Sequence, residues 1–234
     1  TSGTSYPNAK LQLVAGDVNR VRDEMRMAAR KGEMRASAAP APQMAQEALF
    51  EYHLYTLARP TTLADKQTKQ VSLLSAAGVP AVKELVLQGA DYYYRSSVGG
   101  IGQKMKVGVF VQLENRESAR LGMPMPKGVV RVYKRDSAGN AQFVGEDRID
   151  HTPKNETLRL KLGEAFDVTA DKKQTDFKRR EPTNRASYVF ESAYEIVLRN
   201  AKKQAETVVV REPVPGDWSM LEESQAHAKV AAGT

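Results

Sequence analysis

Alternating apolar and polar residues run through much of the chain and predict β-strands. The stretch "MKVGVFVQLEN" has an apolar side chain at every second position, the pattern of a strand with one buried face. The same alternation recurs in "TLRLKLG", "YEIVLRN" and "ETVVVRE". Further strands are predicted over residues 10–15, 49–57, 68–75 and 82–94. Gly, Pro, Asn and Asp fill the gaps, which predicts an antiparallel all-β protein.

One segment near the start of the numbering departs from this alternation. Asp17 can cap a helix, and Val18, Val21 and Met25 follow it at helical spacing. The Ala-Pro repeats of "ASAAPAPQMAQEA" then suit an extended linker. We expect residues 17–47 to form a helical or disordered insertion between two strands. A helix that docks on a partner is the alternative.

The predicted strands suggest two antiparallel sandwich-like units. Residues 1–100 would form part of a first β unit that contains the insertion, and residues 101–234 would form a second, immunoglobulin-like unit. The longest apolar runs, such as residues 107–111, are far shorter than the ~20 residues that a membrane helix needs. We therefore expect no transmembrane span.

The segment "VYKRDSAGNAQFVGEDRI" predicts a β-hairpin. Val130 and Val132 continue a strand, "RDSAGN" offers Asp136, Gly139 and Asn140 for a tight reversal, and "AQFVGEDRI" returns as the partner strand. A calcium loop would need oxygen ligands at alternate positions and a distal Glu, which this turn does not supply.

Carboxylates and a histidine follow the hairpin and could hold a metal ion. Glu146, Asp150 and His151 are the candidate ligands of a metal-dependent hydrolase, with Glu156 or Asp167 arriving from a neighbouring strand. The adjacent Asp147 would point to the other face of a regular strand. Ordinary strand and turn residues are the alternative interpretation, and it is the one that the sequence favours.

The densest basic stretch is "DKKQTDFKRREPTNR", residues 171–185. It would either bind an anionic ligand, such as a phosphate, a lipid headgroup or an acidic glycan, or form a solvated loop between strands. A single aromatic ring and interspersed acidic residues argue against nucleic acid. The residues of this candidate patch are Lys172, Lys173, Lys178, Arg179 and Arg180.

Composition removes several classes of chemistry. The formal net charge is +7, but basic and acidic residues alternate instead of forming one basic tract. The absence of cysteine excludes disulfides, thiolate catalysis and cysteine-ligated metals. No nucleophile elbow, zinc-protease motif or phosphate-binding loop is present, so we expect no cofactor and favour a non-enzymatic role. The rings of "DYYYR" could contact a sugar, although such tyrosines usually divide between core and surface.

Several stretches resemble a bacterial family, domain of unknown function number 4139, which is related to the mucoidy inhibitor A proteins. These stretches are "SGTSYPNAKLQLVAGDVNRV", "FEYHLYTLARPTTLADKQTKQVSLL", "LGMPMPKGVVRVYKRDSAGNAQFVGEDRIDHTPKNE", "LGEAFDVTADKKQTDFKR" and "GDWSMLEES". The resemblance implies a β-rich, exported or periplasmic protein of the cell envelope, and it carries no catalytic residue. It also implies that the second unit is truncated at its C-terminal edge, because family members continue with a further apolar strand.

These observations together predict a non-enzymatic binding or structural module of the bacterial cell envelope. Its expected partners are other envelope proteins or glycans. Because a sheet that lacks a strand exposes unpaired backbone groups, copies of the chain could also associate through an open edge. A metal-dependent hydrolase is the alternative function.

Overall fold

The computed structural model describes residues 3–16, 44–180 and 189–230. Strands account for 54% of the structure, and no α-helix is present in the described part, so the prediction of an all-β protein is confirmed. The predicted helix and most of the predicted insertion, residues 17–43, lie outside the described residues. Within those residues, we find no helix with the length and apolar character needed to cross a membrane.

The described residues form twelve β-strands and two short 3₁₀ turns. The strands are Tyr6–Ala9 (β1), Gln12–Ala15 (β2), Met44–Leu49 (β3), Tyr52–Leu57 (β4), Thr61–Leu63 (β5), Ala81–Gln88 (β6), Gly100–Glu114 (β7), Gly128–Arg135 (β8), Ala141–Ile149 (β9), Thr157–Arg180 (β10), Val189–Asn200 (β11) and Val208–Arg211 (β12). The 3₁₀ turns are Asp91–Tyr94 and Glu117–Ala119.

The chain divides into two compact units whose segments alternate along the sequence. The first unit comprises the described residues of 1–80, 115–128 and 150–156. The second comprises those of 81–114, 129–149 and 157–234. Two later segments of the chain therefore return to the first unit.

The first unit contains a three-stranded sheet in the order β2-β4-β3 and the strand pair β1-β5. Alternate side chains of the larger sheet point inward and form its core, namely Ala15, Met44, Tyr55 and Leu57. Residues 44–47 belong to β3, so the expected linker ends before Met44, whose burial fixes this strand against β4. The strand predicted over 68–75 is wrong. That segment packs Val71 and Leu73 on the core but forms no ladder.

The second unit contains a strongly curled five-stranded sheet in the order β11-β10-β7-β6-β12. Its central strand β10 is 24 residues long, and its pairing with β7 shifts register at several points. Such irregularities bend a strand, which allows β10 to follow the curl. The core of the sheet is formed by Leu85, Val107, Ala165 and Val168. The edge strand β12 pairs in parallel with β6, which departs from the wholly antiparallel unit that we expected.

The predicted hairpin is present as β8 and β9. Asp136 N donates to Asn140 O at 2.9 Å, and Gly139 adopts the positive φ of 87° that a tight reversal requires. Asp136 Oδ1 also accepts the backbone amides of Ala138 and Asn140, each at 2.9 Å. The turn is therefore held by its own local hydrogen bonds.

Candidate functional site

A buried lysine in the second unit lies among side chains from three other segments of the chain. β10 contributes Lys172, and β11 contributes Tyr194. Two more tyrosines, Tyr93 and Tyr94, come from the 3₁₀ turn after β6, and Glu212 follows directly after β12. We call these five side chains the lysine cluster.

The Lys172 ammonium lies between a carboxylate and aromatic rings. Its side chain is only 1% exposed, and its Nζ is 2.6 Å from Glu212 Oε2. The same Nζ lies 4.6 Å from the ring centroid of Tyr93, 4.8 Å from that of Tyr194 and 5.6 Å from that of Tyr94. All three distances are within the range at which a ring face attracts a cation.

Hydrogen bonds hold the carboxylate and the rings of the lysine cluster in place. Tyr94 Oη donates to Glu212 Oε2 at 2.7 Å, and Tyr194 Oη donates to the Tyr93 carbonyl at 2.6 Å. Tyr94 and Tyr194 also meet edge to face, with centroids 5.1 Å apart. The rings of Tyr94 and Tyr194 are thus each held by a hydrogen bond and by contact with the other ring.

Gln174, also buried on β10, fastens the backbone that carries the tyrosines. Its Nε2 donates to the carbonyls of Tyr93 at 3.4 Å and Ser96 at 3.2 Å, and to Tyr194 Oη at 3.1 Å. Its Oε1 accepts the amide of Val98 at 2.7 Å. A buried amide with these partners is satisfied on both sides, as an interior polar group must be.

Burial shifts the ionisation of the groups in the lysine cluster. Removal from water lowers the pKa of Lys172, and the ion pair with Glu212 opposes part of this effect. Burial, with smaller contributions from Tyr92 and Glu212, raises the pKa of Tyr93 to about 12. The pKa of Tyr94 is raised in the same direction by burial and by Glu212. At neutral pH Tyr93 and Tyr94 are therefore protonated, and their rings and the Tyr94 hydroxyl group remain available to a cation and a carboxylate.

Gly89 makes room for the carboxylate of the lysine cluster. A Cβ atom at this position would lie 2.1 Å from Glu212 Oε2, closer than atoms can approach. This glycine and Ala90 also end β6, so Tyr92, Tyr93 and Tyr94 lie in a 3₁₀ turn. The prediction of one strand over residues 82–94 is wrong for this part.

The structure does not place all five residues of the candidate anionic-ligand patch on one exposed surface. Residues 171–180 belong to β10 and not to a loop, and Lys172 points into the lysine cluster, so it cannot contribute to an exposed patch. Lys178 pairs with Asp176 at 2.6 Å, and Arg180 pairs with Glu191 at 2.8 Å. Lys173 and Arg179 are exposed on the same strand, and residues 181–185 lie outside the described residues.

The candidate metal ligands are not assembled. Glu146 belongs to the second unit and pairs with Arg131 at 2.9 Å, whereas Asp150 and His151 belong to the first unit. His151 Nδ1 accepts the amide of Lys127 at 3.3 Å. In the parts of the chain that the structure describes, no three His, Cys, Asp or Glu side chains are placed to hold a metal ion. The alternative of a metal-dependent hydrolase, which the sequence did not favour, therefore finds no geometric support.

The hairpin of β8 and β9 presents a second aromatic group, which sequence reasoning overlooked. Tyr133 and Phe143 are each 56% exposed and contact each other edge to face, with centroids 5.6 Å apart. Val129 and Arg131 lie on the same side of β8, opposite the half-buried Val130 and Val132. We call the side chains of Val129, Arg131, Tyr133 and Phe143 the hairpin face. The alternating pattern of β8 could have predicted the hairpin face. It assigns Val130 and Val132 to the inner side of the strand, and therefore Arg131 and Tyr133 to the outer side.

The comparisons with known proteins do not extend this description. No protein-family profile, no curated protein and no solved structure matches the chain. The geometry of the lysine cluster and the hairpin face therefore carries the functional argument.

Proposed function

We propose that the protein is a non-enzymatic binding module of the bacterial cell envelope, and that it binds another envelope protein through the hairpin face. The resemblance to domain of unknown function number 4139 supports the exported or periplasmic location. A sandwich-like arrangement of both units, immunoglobulin-like in the second, is part of the same proposal.

The observation that carries this proposal is the exposed aromatic pair of the hairpin face. Tyr133 and Phe143 leave large apolar surfaces in water, which is unfavourable unless a partner covers them. Arg131 lies beside them and is held by Glu146. Aromatic residues and arginine are the side chains most enriched at the energetic centres of protein interfaces.

The hairpin that carries this face is anchored to the sheet of the second unit through β9. A Cβ at Gly145 would lie 2.4 Å from Leu162 O, which shows how closely β9 approaches β10. Asp147 Oδ2 accepts the amide of Lys161 at 2.7 Å and joins the same two strands. A face that is already ordered loses little conformational entropy on binding.

The remaining polar chemistry of the second unit supports binding over catalysis. Two of its strongly shifted ionisable groups, Tyr93 and Tyr94, lie in the lysine cluster, where the cation and the carboxylate already neutralise each other. A catalytic pair needs access to a substrate, and the Lys172 side chain is almost completely enclosed.

Site-specific crosslinking tests the proposal. A photoreactive phenylalanine analogue replaces Tyr133 in one variant and Tyr92 in another, in a bacterium that produces the whole protein. Tyr92 is the matched control because it is a tyrosine of similar exposure, 58%, in a different part of the second unit. We expect a specific envelope protein to be crosslinked from position 133 and not from position 92.

The crosslinked protein is then purified and its affinity measured directly. Tyr133→Ala and Phe143→Ala should each weaken binding by roughly 30-fold, the effect of a side chain worth about 2 kcal/mol at an interface. Tyr92→Ala should leave the dissociation constant unchanged. Equal binding by all three variants, or equal crosslinking from both positions, would refute the hairpin face as the binding site.

A further inference from the structure

We propose that Tyr93, Tyr94, Tyr194 and Glu212 form a binding site for a primary alkylammonium group, and that the chain's own Lys172 is its resident ligand. This inference concerns the interior of the second unit and does not depend on the hairpin face.

The chemistry around the Lys172 ammonium is that of a cation receptor. Three ring faces lie within 5.6 Å of Nζ, and a carboxylate oxygen contacts it at 2.6 Å. Aromatic rings combined with a carboxylate are a recurring way to recognise alkylated ammonium groups. A neutral apolar side chain would pack against the rings but would leave the charge of Glu212 unbalanced.

The carboxylate depends on the ammonium for its charge balance. Glu212 Oε2 accepts the Tyr94 hydroxyl, whereas Oε1 is buried and has no hydrogen-bond partner in the described part of the chain. Because Gly89 has no side chain, the Glu212 carboxylate has room to occupy this position. Without a cation at the Nζ position, a buried negative charge would remain, and this is costly.

The site also explains how the tyrosine turn is held on the sheet. Residues 91–94 do not pair in the ladder of β6, and the rings of Tyr93 and Tyr94 converge on a side chain of β10. The lysine therefore acts as a ligand that joins the turn, β10, β11 and the end of β12. Emptying the site should release the turn, and refilling it should restore the fold.

Replacement of Lys172 by alanine empties the site in a defined way. The atoms removed beyond Cβ are three methylenes and the ammonium, which correspond to n-propylammonium. We expect Lys172→Ala to lower the melting temperature and to speed hydrogen exchange of the amides at Tyr93, Arg95 and Val98, which are bonded in the parent. Added n-propylammonium chloride should raise the melting temperature along a saturable curve, as ligand binding to the folded state requires.

Three controls separate the cation site from general effects of salt or apolar packing. Propan-1-ol has a similar chain without the charge and should not restore Lys172→Ala, nor should sodium chloride at the same concentration. Lys173→Ala removes the adjacent exposed lysine and should show no response to n-propylammonium. In Lys172→Ala with Gly89→Ala, the displaced carboxylate should abolish the rescue.

A further variant keeps the test decisive if Lys172→Ala does not fold. Because the chain has no cysteine, Lys172→Cys creates a single thiol. The thiol is alkylated in denaturant with 2-bromoethylamine, which forms a carbon–sulfur bond with loss of bromide and rebuilds a lysine-like ammonium. Iodoacetamide adds a neutral amide of comparable size in the same way, with loss of iodide.

The aminoethylated protein should refold to near the parent melting temperature, and the neutral adduct should not. The proposal fails if both adducts refold equally well, or if Lys172→Met is as stable as the parent. Either result would mean that the site needs packing volume and not a cation, since buried ion pairs can often be replaced by apolar residues without loss. A non-saturable response of Lys172→Ala to n-propylammonium would also overturn it.

Discussion

Replacing Asn115 by alanine should remove more stability from the first unit than an ordinary polar substitution. The Asn115 side chain is completely buried, at 0% exposure. Its Nδ2 donates to the carbonyls of Met123 at 2.8 Å and Pro153 at 2.7 Å. Its Oδ1 accepts the amides of Gly122 at 3.0 Å and Met123 at 3.1 Å. One side chain thereby joins two loop segments that are distant in sequence.

The expected magnitude follows from these four hydrogen bonds. A buried hydrogen bond contributes about 1 kcal/mol, so Asn115→Ala should lower the free energy of unfolding of the first unit by about 4 kcal/mol. Asn115→Asp should be at least as damaging at neutral pH. Its carboxylate would lie against the Met123 and Pro153 carbonyls, with no donor of its own to offer them.

Urea denaturation and native-state hydrogen exchange of the β3–β4 amides measure this effect. The amides report on the first unit directly, whereas the single tryptophan, Trp218, belongs to the second. The control is Asn200→Ala. Asn200 is exposed and makes two side-chain hydrogen bonds, to Gln204 and Lys202, so its loss should cost less than about 1 kcal/mol. A loss below about 1 kcal/mol for Asn115→Ala would refute the reasoning.

Two further predictions concern a close approach and an ion pair. Gly145→Ala should destabilise the second unit by more than about 2 kcal/mol, because its Cβ would overlap a β10 carbonyl. Gly139→Ala and Gly139→Val, where space is open but φ is 87°, should cost only about 1–2 kcal/mol in thermal denaturation. Hydrogen bonds with Lys202 and Lys83 lower the pKa of Glu206 from 4.5 to about 2. The ionised carboxylate therefore stabilises the fold above pH 4.5, and this contribution is lost as the pH falls towards 2. Melting temperatures of the parent should consequently decline more steeply across that interval than those of Glu206→Gln, and parallel curves would contradict the assignment.

Local patterns in the sequence were sufficient for β7, the first half of β10 and the hairpin turn. The alternation around Val107 predicted β7, and that of Leu158 and Leu160 predicted the first half of β10. The turn at Asp136 and Gly139 was predictable because its hydrogen bonds join residues within the turn. In each case the interactions that determine the structure lie within a few residues of one another.

The features that escaped prediction depend on distant partners. Residues 68–75 alternate like a strand, yet they pack on a core that other segments complete. Gly89, directly after β6, lies against a carboxylate from residue 212, and no local pattern can reveal this close approach. Likewise, Lys172 looked like part of a basic surface because charge density does not show which side of a strand is buried. Lys172 is buried because its side chain, on a bent strand, lies opposite three tyrosine rings.

Tyrosine has opposite roles at the two candidate sites, and this difference underlies the function that we propose. In the lysine cluster, Tyr94 and Tyr194 direct their hydroxyl groups to interior acceptors, and their rings contact a cation that the chain itself supplies. These interior contacts stabilise the second unit, and this explains why the two tyrosines are buried. Tyr133 and Phe143 contact each other on a well-anchored hairpin, yet more than half of each side chain remains in water. Since folding leaves this apolar surface uncovered, a partner that covers it would gain hydrophobic free energy that the isolated chain does not use.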